Sequence, residues 1–240
     1  MKKTRTFLAL SLLCASLIGA PAFANDHAHA GGNEKAQIHA LLKNIVNDNR
    51  GFVKHHKPGY FKSLVKGQTP RATVVTCSDS RVHTHALDRT PDGDLFMVRN
   101  IGNQLATAEG SVEYGVRHLN TPVLMVIGHS SCGAVKAVMG GYEGIEPAIK
   151  KELDTLSVPG KDAKNDQEVM DSVAANVNRQ VEAALAKFAP EVKDSRLAVV
   201  GAVYDFRNDY KKGNGKLVVI NLNGETDQAK IKQSGLFAGK

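Results

Sequence analysis

Short runs of β-branched and apolar residues alternate with segments of helical periodicity from residue 72 to residue 222, and this alternation restricts the fold more than any other feature. Ala72 to Thr76 is a β-branched run ending at Cys77. Leu95 to Arg99 is a second, and Gln104 to Leu119 reads as the helix after it. Pro122 to Ile127 is a continuous apolar run, the pattern of a strand buried on both faces. Gly128-His129 ends that run, and Cys132 to Met139 begins the next helix. Val169 to Phe188 is a long amphipathic helix, and Arg196 to Tyr204 and Lys216 to Leu222 read as the last two strands, suited to an antiparallel edge around a turn at Lys211 to Gly215. The pattern predicts an α/β fold: a mainly parallel central β-sheet flanked by helices, with right-handed crossovers. Ahead of it, Ile38, Leu41, Leu42, Ile45 and Val46 recur at helical spacing between Asn33 and about His56, which predicts an N-terminal helical arm. Its apolar stripe must lie either on the domain or on a second subunit.

Residues 1–24 stand apart. Lys2, Lys3 and Arg5 precede the apolar run Phe7 to Ala20, and Ala22-Phe23-Ala24 offers small residues where a signal peptidase reads. This predicts a signal peptide cleaved after Ala24, a flexible leader over 25–32, a single domain over 33–240, and a periplasmic or secreted protein. The apolar run is short of the ~20 residues a membrane span needs, so no membrane insertion is expected after cleavage. Losing three basic residues with that segment lowers the formal charge from +7 to +4, with lysines scattered rather than clustered. A nucleic-acid partner would need a basic stripe interleaved with aromatics, and there is none.

Cleavage also removes Cys14 and leaves Cys77 and Cys132. In an exported chain two cysteines suggest a disulfide. Their neighbours suggest something else: Cys77-Ser78-Asp79-Ser80-Arg81 ends one predicted strand, and His129-Ser130-Ser131-Cys132-Gly133 follows another. Two thiolates and one imidazole make a three-ligand set, and catalytic zinc sites keep three protein ligands with a position left for water. A bridge needs no Asp, Arg or His beside it. Both segments lie past the carboxyl ends of predicted strands, where open α/β sheets bind ligands.

The C-S-D-S-R and H-x-x-C-G motifs, in this order and spacing, resemble those of the β-class carbonic anhydrases. The resemblance extends to Gly67-Gln68-Thr69-Pro70, Phe96-Met97-Val98-Arg99-Asn100 and Gly110-Ser111-Val112-Glu113-Tyr114, and it runs from about Ala36 to Leu222. It implies one Zn2+ per subunit held by Cys77, His129 and Cys132, and hydration of CO2 to bicarbonate and a proton by attack of zinc-bound hydroxide. It gives Asp79 two alternative tasks: pairing with Arg81 and accepting a hydrogen bond from that hydroxide, or binding zinc directly and closing the site. It implies a substrate pocket lined by Gln68, Phe96 and Tyr114, as in the plant-like branch, built across the interface of a homodimer or larger homo-oligomer. Some bacterial members carry a second, bicarbonate-binding site that includes a Trp; this chain has no Trp, and Val74 stands at that position although Arg99 and Tyr204 match. The expectation is therefore an open site without that switch.

His55, His56, His83 and His85 are candidates for relaying protons to buffer, since histidine titrates in the right range, or are plain surface residues. Hydrolases of carbon disulfide or carbonyl sulfide share the same zinc ligands and remain rivals as enzymes. A zinc-storage or disulfide-stabilised protein is the non-enzymatic rival.

Overall fold

The computed structural model describes residues 33–235, so the expected signal segment, the leader and residues 236–240 lie outside the described residues. Five strands, β1 (Ala72–Cys77), β2 (Leu95–Asn100), β3 (Val123–His129), β4 (Ala198–Asp205) and β5 (Lys216–Leu222), form one sheet in the order β2-β1-β3-β4-β5. β2, β1, β3 and β4 pair in parallel, and β5 runs antiparallel to β4. This is the mainly parallel sheet with an antiparallel edge that the strand–helix alternation predicts.

Among the described residues the helices are α1 (Glu34–His55), α2 (Pro58–Leu64), α3 (Glu109–Glu113), α4 (Gly133–Gly140), α5 (Pro147–Leu153), α6 (Asp166–Lys187), α7 (Ala189–Lys193) and α8 (Gln228–Gln233). None is long and apolar enough to cross a membrane. The four short helices absent from the sequence reading carry local signals all the same. Pro58, Pro147 and Pro190 sit in the first turns of α2, α5 and α7, and Asp227 caps α8 by accepting from the N–H groups of Ala229 and Lys230.

The helix expected over 104–119 begins only at Glu109. Asn100 Oδ1 takes the N–H of Gln104, and the Gln104 amide donates to the carbonyls of Ile101 and Glu152. Those bonds hold 101–105 as a buried loop and outcompete helix formation. α3 then widens into a π-helical turn, Tyr114–His118, with the N–H of Leu119 reaching the carbonyl of Tyr114.

One sheet face is sealed by α6, whose Val169, Met170, Val173, Val177, Val181 and Ala184 pack over β3 and β4. Two glycines allow the approach. A Cβ on Gly128 would lie 2.8 Å from methyls of both Val173 and Val177, and one on Gly201 would lie 2.8 Å from Val177. We expect Gly128→Ala to destabilise the fold by about 1–3 kcal/mol, the usual cost of overpacking, measured by urea unfolding. An unchanged midpoint would show that α6 can simply slide outward.

The opposite face is more open: Ala72, Val74, Ile127 and Ala202 are buried, but Leu95, Met97, Met125 and Leu217 are only half-buried. α1 buries nothing at all. Ile38, Leu41, Leu42, Ile45 and Val46 are each 50–60% exposed, so the apolar stripe does not lie on its own domain.

Parallel register brings the motif-bearing strand ends together. Thr76 of β1 pairs with Ile127 of β3, so Cys77 and the Gly128-His129 pair leave the sheet side by side. On the other flank of β1, Cys77 pairs with Asn100.

Candidate metal centre

Cys77 ends β1, His129 ends β3 and Cys132 is the N-cap of α4. Ser131, at φ 51° in the left-handed region, turns the chain between the last two. The ligand atoms of Cys77, His129 and Cys132 all lie within 4.8 Å of one another, and all three side chains are buried. Both cysteines are free thiols, so the disulfide reading is not what the fold contains.

Charge and hydrogen bonding within the cluster leave a gap for a cation. The Cys77 thiol is lowered to about 4, chiefly by its hydrogen bond with Cys132 and with help from His129, against the cost of burial. Cys132 is raised well above the ordinary thiol value by that same bond and by its complete burial, although the N–H groups of Val135 and Ala134 favour its thiolate. One proton shared between two sulfurs is the arrangement a dication would displace. His129 donates from Nδ1 to the carbonyl of Ser130 at 3.0 Å, because a carbonyl can only accept. Its Nε2, wholly buried, has no hydrogen-bond partner. A buried polar atom without a partner is costly and calls for an explanation. A lone pair turned toward two sulfurs is what a metal ligand requires, and the donor set fits zinc.

Asp79 lies beside this gap, its Oδ2 3.8 Å from His129 Nε2. Arg81 grips it as a fork: Nε reaches Oδ1 at 2.8 Å, a terminal nitrogen reaches Oδ2 at 2.6 Å, and the Arg81 backbone N–H adds a third bond at 2.9 Å. The Arg81 side-chain bond, outweighing burial, lowers the Asp79 carboxyl to about 2, so it is an ionised acceptor across the neutral range. Arg99 is committed to the loop itself, donating to the carbonyls of Cys77 and Asp79. Val74 and Tyr204 belong to the same, more open sheet face.

Phe96 and Tyr114 are not at this cluster within one chain. Phe96 pairs with Thr73, four residues before the Cys77–Asn100 pair, or about 13 Å along the strand at ~3.3 Å per residue. Tyr114 packs its ring 5.9 Å from that of Phe96, and Gln68 is exposed on the segment before β1. Of the four histidines, His55 and His56 bond the α1 carbonyls of Gly51 and Phe52 through Nδ1, while His83 and His85 are exposed after Arg81.

Phe206 is a site residue the sequence reading missed. Its ring lies 4.8 Å from the Arg81 guanidinium carbon and 6.2 Å from the His129 ring, roofing both. The available signal was its position: it follows the carboxyl end of β4, the same edge that carries the two motifs.

Residues 72–211 match the sequence model of the family described as carbonic anhydrase. Over 108 residues the chain is 34% identical to the carbonic anhydrase of Synechococcus elongatus, an overlap covering 41% of this chain and 40% of that protein. It is 30% identical to carbonic anhydrase 2 of Mycobacterium tuberculosis over 154 residues, covering 59% of this chain and 72% of that one. The chain thus spans under half the length of the first relative and nearly three-quarters of the second. Among solved structures, the β-carbonic anhydrase of Coccomyxa, determined with acetazolamide, superposes with a TM-score of 0.64 at 25% identity, covering 82% of this chain and 97% of that one.

Proposed function

The chain belongs to the β-class carbonic anhydrase family, and from that premise we propose that it catalyses the reversible hydration of CO2 to bicarbonate and a proton, with one zinc ion per subunit held by Cys77, His129 and Cys132. The observation that carries this reading is the buried, unpartnered Nε2 of His129 facing two free thiols, next to an ionised carboxylate. Zinc bound there would act as a Lewis acid that lowers the pKa of a coordinated water. Asp79, with both oxygens held by Arg81, is an acceptor with no proton to give. It would accept a hydrogen from the attacking water at Oδ2 and keep that water's free lone pair directed at the CO2 carbon. Phe206 and the buried strand ends exclude bulk water from that side.

The three-bond fork between Arg81 and Asp79 supports an open site, with the carboxylate held off the metal. Two thiolates also donate more charge than imidazoles, so the coordinated water should be less acidic than at an all-histidine site, where its pKa is ≈7. Stopped-flow CO2 hydration by the zinc-loaded protein should therefore be measurable at pH 7 and rise toward pH 9. No turnover below pH 8 would mean that Asp79 ligates zinc, and none at any pH with zinc bound would overturn the reading.

A homodimer or larger homo-oligomer completes the proposal. Phe96, with Tyr114 packed against it, lies about 13 Å along the strand from the metal ligands of its own chain, Gln68 is exposed ahead of β1, and α1 exposes its entire apolar stripe. A second copy would satisfy both, presenting the three residues to a neighbour's metal and covering α1. Replacing Leu41 and Ile45 together with Glu should shift the protein to monomer in sedimentation velocity and lower kcat/KM. A monomeric wild type of full activity would exclude the composite pocket. Residues 1–24 support export to the periplasm or medium, and N-terminal sequencing of the mature protein should begin at Asn25.

A further inference from the structure

Asp205 is a fully buried carboxylate that takes part in no ion pair among the described residues. Charged groups are rarely buried without a cation to pair with, so its hydrogen bonds should explain its presence. The Asp205 Oδ1 accepts from the Ser130 hydroxyl at 3.0 Å and from the N–H of Asp209 at 3.0 Å, and Oδ2 accepts from the N–H of Tyr210 at 2.9 Å. The Ser130 hydroxyl also lies 3.3 Å from Asp209 Oδ2. Burial alone would raise the Asp205 carboxyl, yet these donors lower it overall, so it persists as an anion.

Ser130 is the next link. It is fully buried, its N–H bonds the carbonyl of Tyr204, and its own carbonyl is the acceptor for His129 Nδ1. The hydroxyl and the N–H together fix the Ser130 residue from two sides, and its carbonyl then dictates which ring nitrogen of His129 carries the proton. A ring protonated at Nδ1 must present a lone pair at Nε2, the atom that faces the two thiols. The carboxylate on β4 thus sets the tautomer and orientation of a histidine on β3 without touching it.

We propose that Asp205 is a positioning residue of the metal centre, acting through Ser130 to hold His129 with Nδ1 protonated and Nε2 turned toward the metal. The same carboxylate anchors the turn that carries Phe206 over the site. The inference rests on the reading of His129 as a metal ligand, and the test separates failure of one from failure of the other.

The two variants are Ser130→Ala and Asp205→Asn in the full mature chain. Ser130→Ala removes the hydroxyl link while leaving the two N–H bonds to Asp205 in place, so it is the variant expected to fold. Affinity for Zn2+ and Co2+ is measured by competition with a chromophoric chelator, and the His129 Nδ1–H resonance is followed in the zinc-loaded, 15N-labelled protein. Removing the partners that orient a metal-ligating histidine typically costs 10–100-fold in affinity. We expect about 10-fold for Ser130→Ala and toward 100-fold for Asp205→Asn, with faster exchange of the Nδ1 proton in both. A purely structural role for Asp205 would lower the melting temperature while leaving metal affinity and the Nδ1 signal unchanged, and that result overturns the proposal. If Asp205→Asn fails to fold, Ser130→Ala decides alone. Wild-type protein that binds neither metal would sink the ligand reading itself, and the positioning role with it.

Discussion

Cys132→Ala should yield a folded protein that retains no stoichiometric zinc and hydrates CO2 no faster than the buffer. Cys132 is 1% exposed and occupies the N-cap position of α4 without a side-chain cap hydrogen bond, so alanine removes one buried sulfur and little packing. The cost to folding should be on the order of 1 kcal/mol, as for other small deletions in a core. The cost to the metal is much larger. A dication buried among apolar side chains needs both thiolates to cancel its charge, and its binding free energy of roughly 10–16 kcal/mol is distributed over few ligands. Losing one of three should weaken binding by at least about 10³-fold. Circular dichroism, metal content after gel filtration and stopped-flow hydration would check the three parts separately. Full zinc occupancy with full activity in this variant would remove Cys132 from the centre.

Asp79→Asn should keep the fold and the zinc and lose CO2 hydration by about 10²-fold or more, the range in which a positioned acid–base group contributes. The substitution preserves shape but offers an NH2 group where one of the two carboxylate acceptors stood. Oδ1 accepts two of the three Arg81 bonds and Oδ2 one, so the amide oxygen takes the place of Oδ1 and the NH2 group that of Oδ2. The acceptor at the position of Oδ2, 3.8 Å from His129 Nε2, is then lost. Because zinc content is read in parallel, the result also decides between catalysis and metal storage. A storage protein would show no functional change, since a paired Asp and Arg add nothing to holding the ion.

Much of this centre is legible in the sequence because its parts are local. Cys77 ends a β-branched run and His129 ends an apolar one, and strand ends are visible wherever the side-chain pattern changes period. Cys132 follows His129 by one turn, so the two travel together. Periodicity starts the helix of α3 too early, because the side chains of Asn100 and Gln104 capture backbone groups that the pattern assigns to a helix. Phe206 and Asp205 were missed for a different reason. They lie seventy-odd residues from Ser130 and His129, which they contact, and nothing in their own neighbourhood of sequence points across the sheet.

The chemistry on offer is thus written in consecutive residues: two thiols, an imidazole, a carboxylate and a guanidinium, each at or just past the end of a strand or at the start of a helix. The folded chain sets their relations. It brought Cys77 within 4.8 Å of ligand atoms more than fifty residues away, left His129 Nε2 without a partner and locked Asp79 to Arg81. It also set Phe96, with Tyr114 packed against it, about 13 Å along the sheet from the metal ligands of their own chain. The reason is that side-chain type and period are properties of consecutive residues, whereas distance across a parallel sheet depends on register. Register is chosen by how whole strands bury their faces against α6 and one another, a choice no short stretch of residues makes alone.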